Sequence, residues 1–141
     1  MKCTGFSVLG LAMIAGGVAA QDAQLDLGER LYQESCASCH GADLAGQPEW
    51  RTWLPNGRLP APPHDATGHT WHHPDRVLMD IVKRGTAAFV GNGYESDMPG
   101  FEDVLSDSEI SAILDYIKST WPERNRMSQE SMTRADNEAQ K

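Results

Sequence analysis

Cysteine is scarce in this chain of 141 residues, with three copies at positions 3, 36 and 39. So few thiols exclude a disulfide-framed scaffold. Long apolar segments are missing as well. The longest uncharged apolar stretch, Phe6 to Ala20, has 15 residues, against the ~20 that a bilayer-spanning helix needs. Basic residues are in the minority, 12 Lys and Arg against 20 Asp and Glu. That balance argues against nucleic-acid binding, which rests on cationic contacts to phosphate. Strand-type alternation and internal repeats are lacking, and no nucleophile is set beside a base. Gly91-Asn92-Gly93 is too short for a phosphate-binding loop and opens no helix.

What the chain does contain is Cys36-Ala37-Ser38-Cys39-His40. Two thiols three positions apart, followed at once by an imidazole, form the C-x-x-C-H pattern of c-type haem attachment. Each thiol can add to one vinyl group of haem, and the histidine is then brought under the iron as its proximal ligand. A zinc half-site would need a second ligand pair, and the remaining cysteine, Cys3, lies at the far N-terminus. A thioredoxin-like pair would follow a strand in a βαβ unit, which this sequence does not offer. A disulfide closing so small a loop would gain little stability. One covalently held haem is the expected cofactor.

The N-terminus reads as an export signal. Lys2 supplies a short positive region, Phe6 to Ala20 the apolar core, and Val18-Ala19-Ala20 the small residues before a cleavage point near Ala20. Residues 1–20 are therefore expected to be a signal peptide, 21–122 a single domain, and 123–141 a polar C-terminal tail, part helical and loosely docked or disordered. Cleavage would remove Cys3 with the signal and leave no membrane span in the mature chain. It would also drop the basic count from 12 to 11 against 20 acids, for a formal charge of −9. The location expected is the periplasm or another exported compartment. So acidic a protein should be steered toward partners that display a basic patch.

Three helices are legible. The first runs from about Leu25 into Ser38, with Leu27, Leu31 and Tyr32 on one face leading to Cys36. The second starts at Pro74-Asp75, points Val77, Leu78, Ile81 and Val82 inward, and stops at Gly85 after Lys83-Arg84. The third opens on a capping box, Ser106 to Glu109, carries Ile110, Ile113, Leu114 and Ile117, and ends at Trp121-Pro122. Between them lie loops rich in Pro and Gly, Gln47 to His73 and Gly85 to Phe101. Loops this long in a domain of about 121 residues need something to pack on. A buried porphyrin would supply that surface and act as a tightly bound ligand of the native state. Trp50 and Trp53 are expected to pack the first loop over it.

Met98-Pro99-Gly100-Phe101 sits just before the third helix. A thioether is a soft, neutral donor that favours ferrous iron, so Met98 is the expected second axial ligand beside His40. Met79 on the second helix reads as core filler, and Met127 and Met132 lie beyond the third helix. Gly28-x-x-x-Tyr32-x-x-x-Cys36-x-x-Cys39-His40, the late Met98-Pro99-x-Phe101 and Leu114-x-Tyr116-Ile117-x-x-x-Trp121 together resemble class I cytochrome c. The resemblance implies an all-α fold, three main helices and long loops wrapped around one haem. It implies that Gly28 lets the first and last helices cross closely, with Tyr32 and Tyr116 at the contact. It further implies that a proline carbonyl, from Pro62 or Pro63, holds the Nδ1 proton of the proximal histidine and fixes its tautomer.

His64 to His73 holds four of the five histidines and is not required by that fold. His64, His69, His72 and His73 invite a copper or zinc site. The competing reading, which we favour, places them along one haem edge, bonding propionates and nearby carbonyls, with Trp71 as a propionate donor. The function expected is single-electron transfer, not catalysis, because iron ligated on both sides has no open position. Three alternatives remain open. These are a haem subunit of an oxidoreductase complex, a copper-handling protein using the histidine segment, and a peroxide- or gas-reactive haem if Met98 is not a ligand.

Overall fold

The computed structural model describes residues 15–141. Met1 to Ile14, which include Cys3 and most of the expected export signal, lie outside the described residues. Regular structure among the described residues is entirely helical. α1 spans Ala15–Ser35, α2 Ala37–His40, α3 Asp75–Arg84, α4 Thr86–Val90, α5 Asp107–Ser119 and α6 Glu123–Ala139, with a 3-10 turn at Thr70–His72.

The core lies where α1 crosses α5. Leu31 and Tyr32 from α1 meet Ile110, Ala112, Ile113, Leu114 and Ile117 from α5, and Trp121 closes the end. The crossing depends on Gly28. A Cβ there would stand 2.0 Å from the carbonyl oxygen of Ala112 and 2.9 Å from the Cβ of Tyr116. Tyr32 and Tyr116 meet one turn along, their rings 5.6 Å apart. α5 starts as its sequence dictates, with Ser106 accepting from the Glu109 amide while Glu109 accepts from that of Ser106. The Glu109 carboxyl is held below its ordinary value by those bonds to the amide and hydroxyl of Ser106.

The first helix differs from its expected course. It is interrupted at Cys36, which caps the short α2, so both thiols and His40 sit on a separate turn and not on the end of α1. The expected cleavage point, Ala20, falls within α1. The expected loop after Gly85 contains a further short helix, α4.

The polar tail expected after Pro122 is instead a 17-residue helix seated against the 3-10 turn and α3. Its contacts are polar, which is why hydrophobic spacing does not reveal it. Gln129 is 1% exposed, and the two hydrogens of its amide nitrogen are shared among three acceptors, the His73 carbonyl at 3.2 Å, Asp75 Oδ1 at 2.7 Å and Thr133 Oγ1 at 3.2 Å. Thr133 Oγ1 in turn accepts from the Asp75 amide, and Arg76 grips Asp136 through two bonds of 2.8 Å. Helix propensity helps, since no Gly or Pro occurs between Glu123 and Lys141. Replacing Gln129 with leucine should strand the acceptors it serves, at a cost of about 1–3 kcal/mol. Thermal unfolding should then shift downward by on the order of 5–10 °C. An unchanged transition would mean that these bonds do not hold α6 in place.

Candidate haem site

α2 offers two unpaired thiols and one imidazole within five residues. Cys36 is half-buried and Cys39 exposed. Burial, reinforced by the neighbouring Cys39, pushes the Cys36 thiol up to about 11. His40 is 6% exposed. Its Nδ1 lies 2.8 Å from the carbonyl oxygen of Pro62, which selects Pro62 over Pro63 as the tautomer-fixing partner. With Nδ1 donating there, Nε2 is left as the free lone pair. Burial lowers the His40 pKa, and the bond to Pro62 opposes that shift only in part, so the ring stays neutral. A neutral imidazole is the form that binds a metal.

The Pro62 carbonyl is held in place by backbone. The His64 amide donates to Leu44 at 2.8 Å, the Gln47 amide to Ala61 at 2.9 Å, and the Gly46 amide to His40 at 2.8 Å. Two glycines make room for the proline pair. A Cβ on Gly46 would lie 2.6 Å from the Pro62 carbonyl carbon, and one on Gly68 would lie 1.9 Å from the Pro63 oxygen. Pro63 therefore serves as a packing surface, not as the partner of His40.

The histidine segment does not assemble a metal site. Among the described residues no three His, Cys, Asp or Glu side chains converge on one point. His64 stacks on His40, centroids 3.8 Å apart and planes 17° from parallel. Its Nδ1 is sealed from solvent with no hydrogen-bond partner, and burial, then the nearby His40 and His69, keep its pKa well below the usual value. Its carbonyl accepts the Trp121 indole at 2.7 Å, tying the segment to the core. His69 stacks on Trp50 and meets His73 edge-on at 5.5 Å, while exposed His72 lies against Trp71. His72 lies in a single 3-10 turn that His69 and His73 flank, so the copper or zinc reading of His64, His69, His72 and His73 finds no shared helix face to bring the four together. The Trp71 indole N–H donates to the Ala66 carbonyl at 3.3 Å. Trp53 is 57% exposed and stands edge-on to Tyr94.

Met98 lies in the loop between α4 and α5. Its amide donates to Ser96 Oγ at 3.1 Å, and its sulfur accepts a hydrogen bond from Thr86 Oγ1 at 3.2 Å. Arg58 clasps the same loop, pairing with Asp97 and, at 3.5 Å, with Glu95. Sequence reading missed Thr86. A hydroxyl following a helix-ending glycine has no signature until the Met98 loop folds back over it. Two free thiols and an imidazole with one nitrogen committed and the other free form a donor set that fits haem c, and the Met98 thioether, held by a hydroxyl, is a further soft donor in the chain. No described helix is long and apolar enough to cross a membrane.

Comparison with known proteins agrees with that chemistry. A family model described as Cytochrome c matches residues 25–121. A nitrite reductase from Stutzerimonas stutzeri is 27% identical over 123 residues, covering 82% of this chain and 20% of that protein. The chain thus spans about a fifth of the relative's length. No solved structure matches significantly.

Proposed function

The chain belongs to the cytochrome c family, and from that premise we propose that it is an exported single-electron carrier, with haem held by Cys36 and Cys39 and its iron by His40 and Met98. Family membership implies a covalently bound haem c and a role in electron transfer. Haem supplies an iron that takes up and returns one electron. The protein's residues do the rest. Pro62 fixes the His40 ring through Nδ1, so that Nε2 keeps one orientation in both oxidation states. Burial keeps that imidazole neutral, and the Met98 thioether favours the reduced state. A site closed on both sides has little to reorganise when an electron arrives and no position at which a substrate could bind.

The observation that carries this reading is the bond from His40 Nδ1 to Pro62 beside two unpaired thiols. The test is spectroscopic. The haem-loaded protein should titrate as one reversible one-electron couple, show the weak sulfur-to-iron charge-transfer band at the red end of the spectrum when oxidised, and bind no carbon monoxide when reduced. Carbon monoxide binding to the untreated ferrous protein would sink the closed-site reading in favour of a ligand-reactive haem.

The polar residues after Ala20 and the uncharged run before it support export to the periplasm. The excess of acidic side chains supports docking to a basic surface on the redox partner. A second reading, service to a larger oxidoreductase, is favoured by the likeness to one fifth of a nitrite reductase. In that case the reduced protein would pass its electron to such an enzyme faster than to an unrelated acceptor of equal potential.

A further inference from the structure

The loop carrying Met98 is locked to the junction of α3 and α4 through backbone alone. Gly85 has φ +78°, and a Cβ there would lie 2.9 Å from the Met98 oxygen, 2.8 Å from the Pro99 carbonyl carbon and 2.7 Å from the Gly100 nitrogen. Gly100 returns the fit, with its own absent Cβ 2.6 Å from the Lys83 oxygen. The Phe101 amide then bonds Val82 and Lys83, both at 3.0 Å. Two glycines at one crossing let the backbones touch, and the touching backbones set the register between the first residue of α4 and the methionine. That residue is Thr86. Its hydroxyl is spent on the thioether of Met98, 3.2 Å away. The direction of the bond is settled by chemistry, because a thioether has no hydrogen to give.

We infer that Thr86 is a positioning and tuning residue for the Met98 sulfur, raising the reduction potential of the bound haem and keeping the thioether on its iron. The inference rests on the ligation by Met98 proposed above. A thioether has two lone pairs, so a sulfur that gives one to a metal can still accept a hydrogen bond on the other. That bond draws electron density from the sulfur and makes it a poorer donor. Ferric iron, the more electron-poor state, loses more from a weakened donor than ferrous iron does. The reduced state gains in relative terms, and the potential rises. Methionine also has three rotatable bonds and adapts easily to its surroundings. A hydroxyl fixed by the Gly85–Gly100 crossing restricts that freedom, and Arg58 restrains the loop through Asp97 and Glu95.

The experiment uses the haem-loaded full chain and three variants, Thr86→Val, Thr86→Ala and Thr86→Ser. Midpoint potential, the red charge-transfer band and the affinity of the ferric form for added imidazole are measured for each. Thr86→Val keeps the shape and loses the donor. At a fixed poise its ferric-to-ferrous ratio should rise about threefold, equivalent to about 28 mV for a one-electron couple. Imidazole should displace the sulfur several-fold more readily, the lost restraint on a flexible methionine outweighing its slightly better donor strength, and the band should shift yet persist. Thr86→Ser should restore the parent values. Thr86→Ala supplies the same comparison should the valine variant fail to accumulate with haem. An unchanged potential and imidazole affinity with the band intact would overturn the role of Thr86 while leaving Met98 as ligand. Equal losses in the serine variant would reduce Thr86 to packing and also overturn it. Absence of the band in the parent protein would instead remove the ligation by Met98 and this inference with it.

Discussion

The Met98→Ala protein is expected to retain its haem and lose its character as a carrier. Cys36 caps α2, Cys39 and His40 lie on it, and His40 is anchored through Pro62, so covalent attachment should survive. The sixth position loses its thioether. The red charge-transfer band of the oxidised form should vanish, and the ferrous form should bind carbon monoxide, which the parent should not. The potential should fall by on the order of 0.1–0.2 V, a fraction of the ~0.8 V range that axial ligands command. The other described methionines within reach of the question serve as controls. Met79 packs against the core from α3, and Met127 on α6 is 61% exposed, so alanine at either position should leave the band intact. A Met98→Ala protein that kept its band would move the ligand to another residue and separate the Met98 loop from the iron.

Legibility in the sequence followed the range of the interactions concerned. The C-x-x-C-H motif is local, and a five-residue pattern carries its own meaning. The α5 capping box and the apolar spacing of α3 and α5 are also local, and the structure has them where the spacing predicts. Gly28 needed a resemblance to be noticed, because its reason lies 84 positions away at Ala112. Pro62 could not be separated from Pro63 by spacing. The choice is made by the ladder of amides at Gly46, Gln47 and His64, which is tertiary structure. α6 was legible only as a tail that is part helical, for a different reason. Its buried residues are Asn125 and Gln129, and a helix that docks by satisfying polar groups leaves no hydrophobic stripe to read. The histidine segment shows the reverse case, in which the lesser, metal-site reading had local spacing on its side. Proximity in sequence suggested convergence, but His64 turns onto His40, His69 onto Trp50 and His72 onto Trp71.

Gly28→Ala should be strongly destabilising. The new Cβ would fall 2.0 Å from the Ala112 oxygen and 2.6 Å from its carbonyl carbon. Both obstacles are backbone in the middle of α5, so no rotamer change can relieve them, and the two helices have to move apart. Separation opens the contact between Tyr32 and Tyr116 and loosens Leu31 against Ile113, in a core that a domain of this size cannot spare. The cost should reach at least about 3 kcal/mol, the upper end of ordinary overpacking. Gly57→Ala makes the informative comparison. That glycine, unlike Gly28, has a positive φ, +77°, and nothing lies within 4 Å of its absent Cβ. Its substitution should therefore cost only about 1–2 kcal/mol of left-handed backbone strain, although alanine is in principle the better helix former at position 28. Chemical denaturation of the haem-loaded variants measures both. If Gly28→Ala proved no worse than Gly57→Ala, α1 and α5 would not be in backbone contact. The closeness of that crossing would then have no part in holding α2, and with it His40, against Pro62.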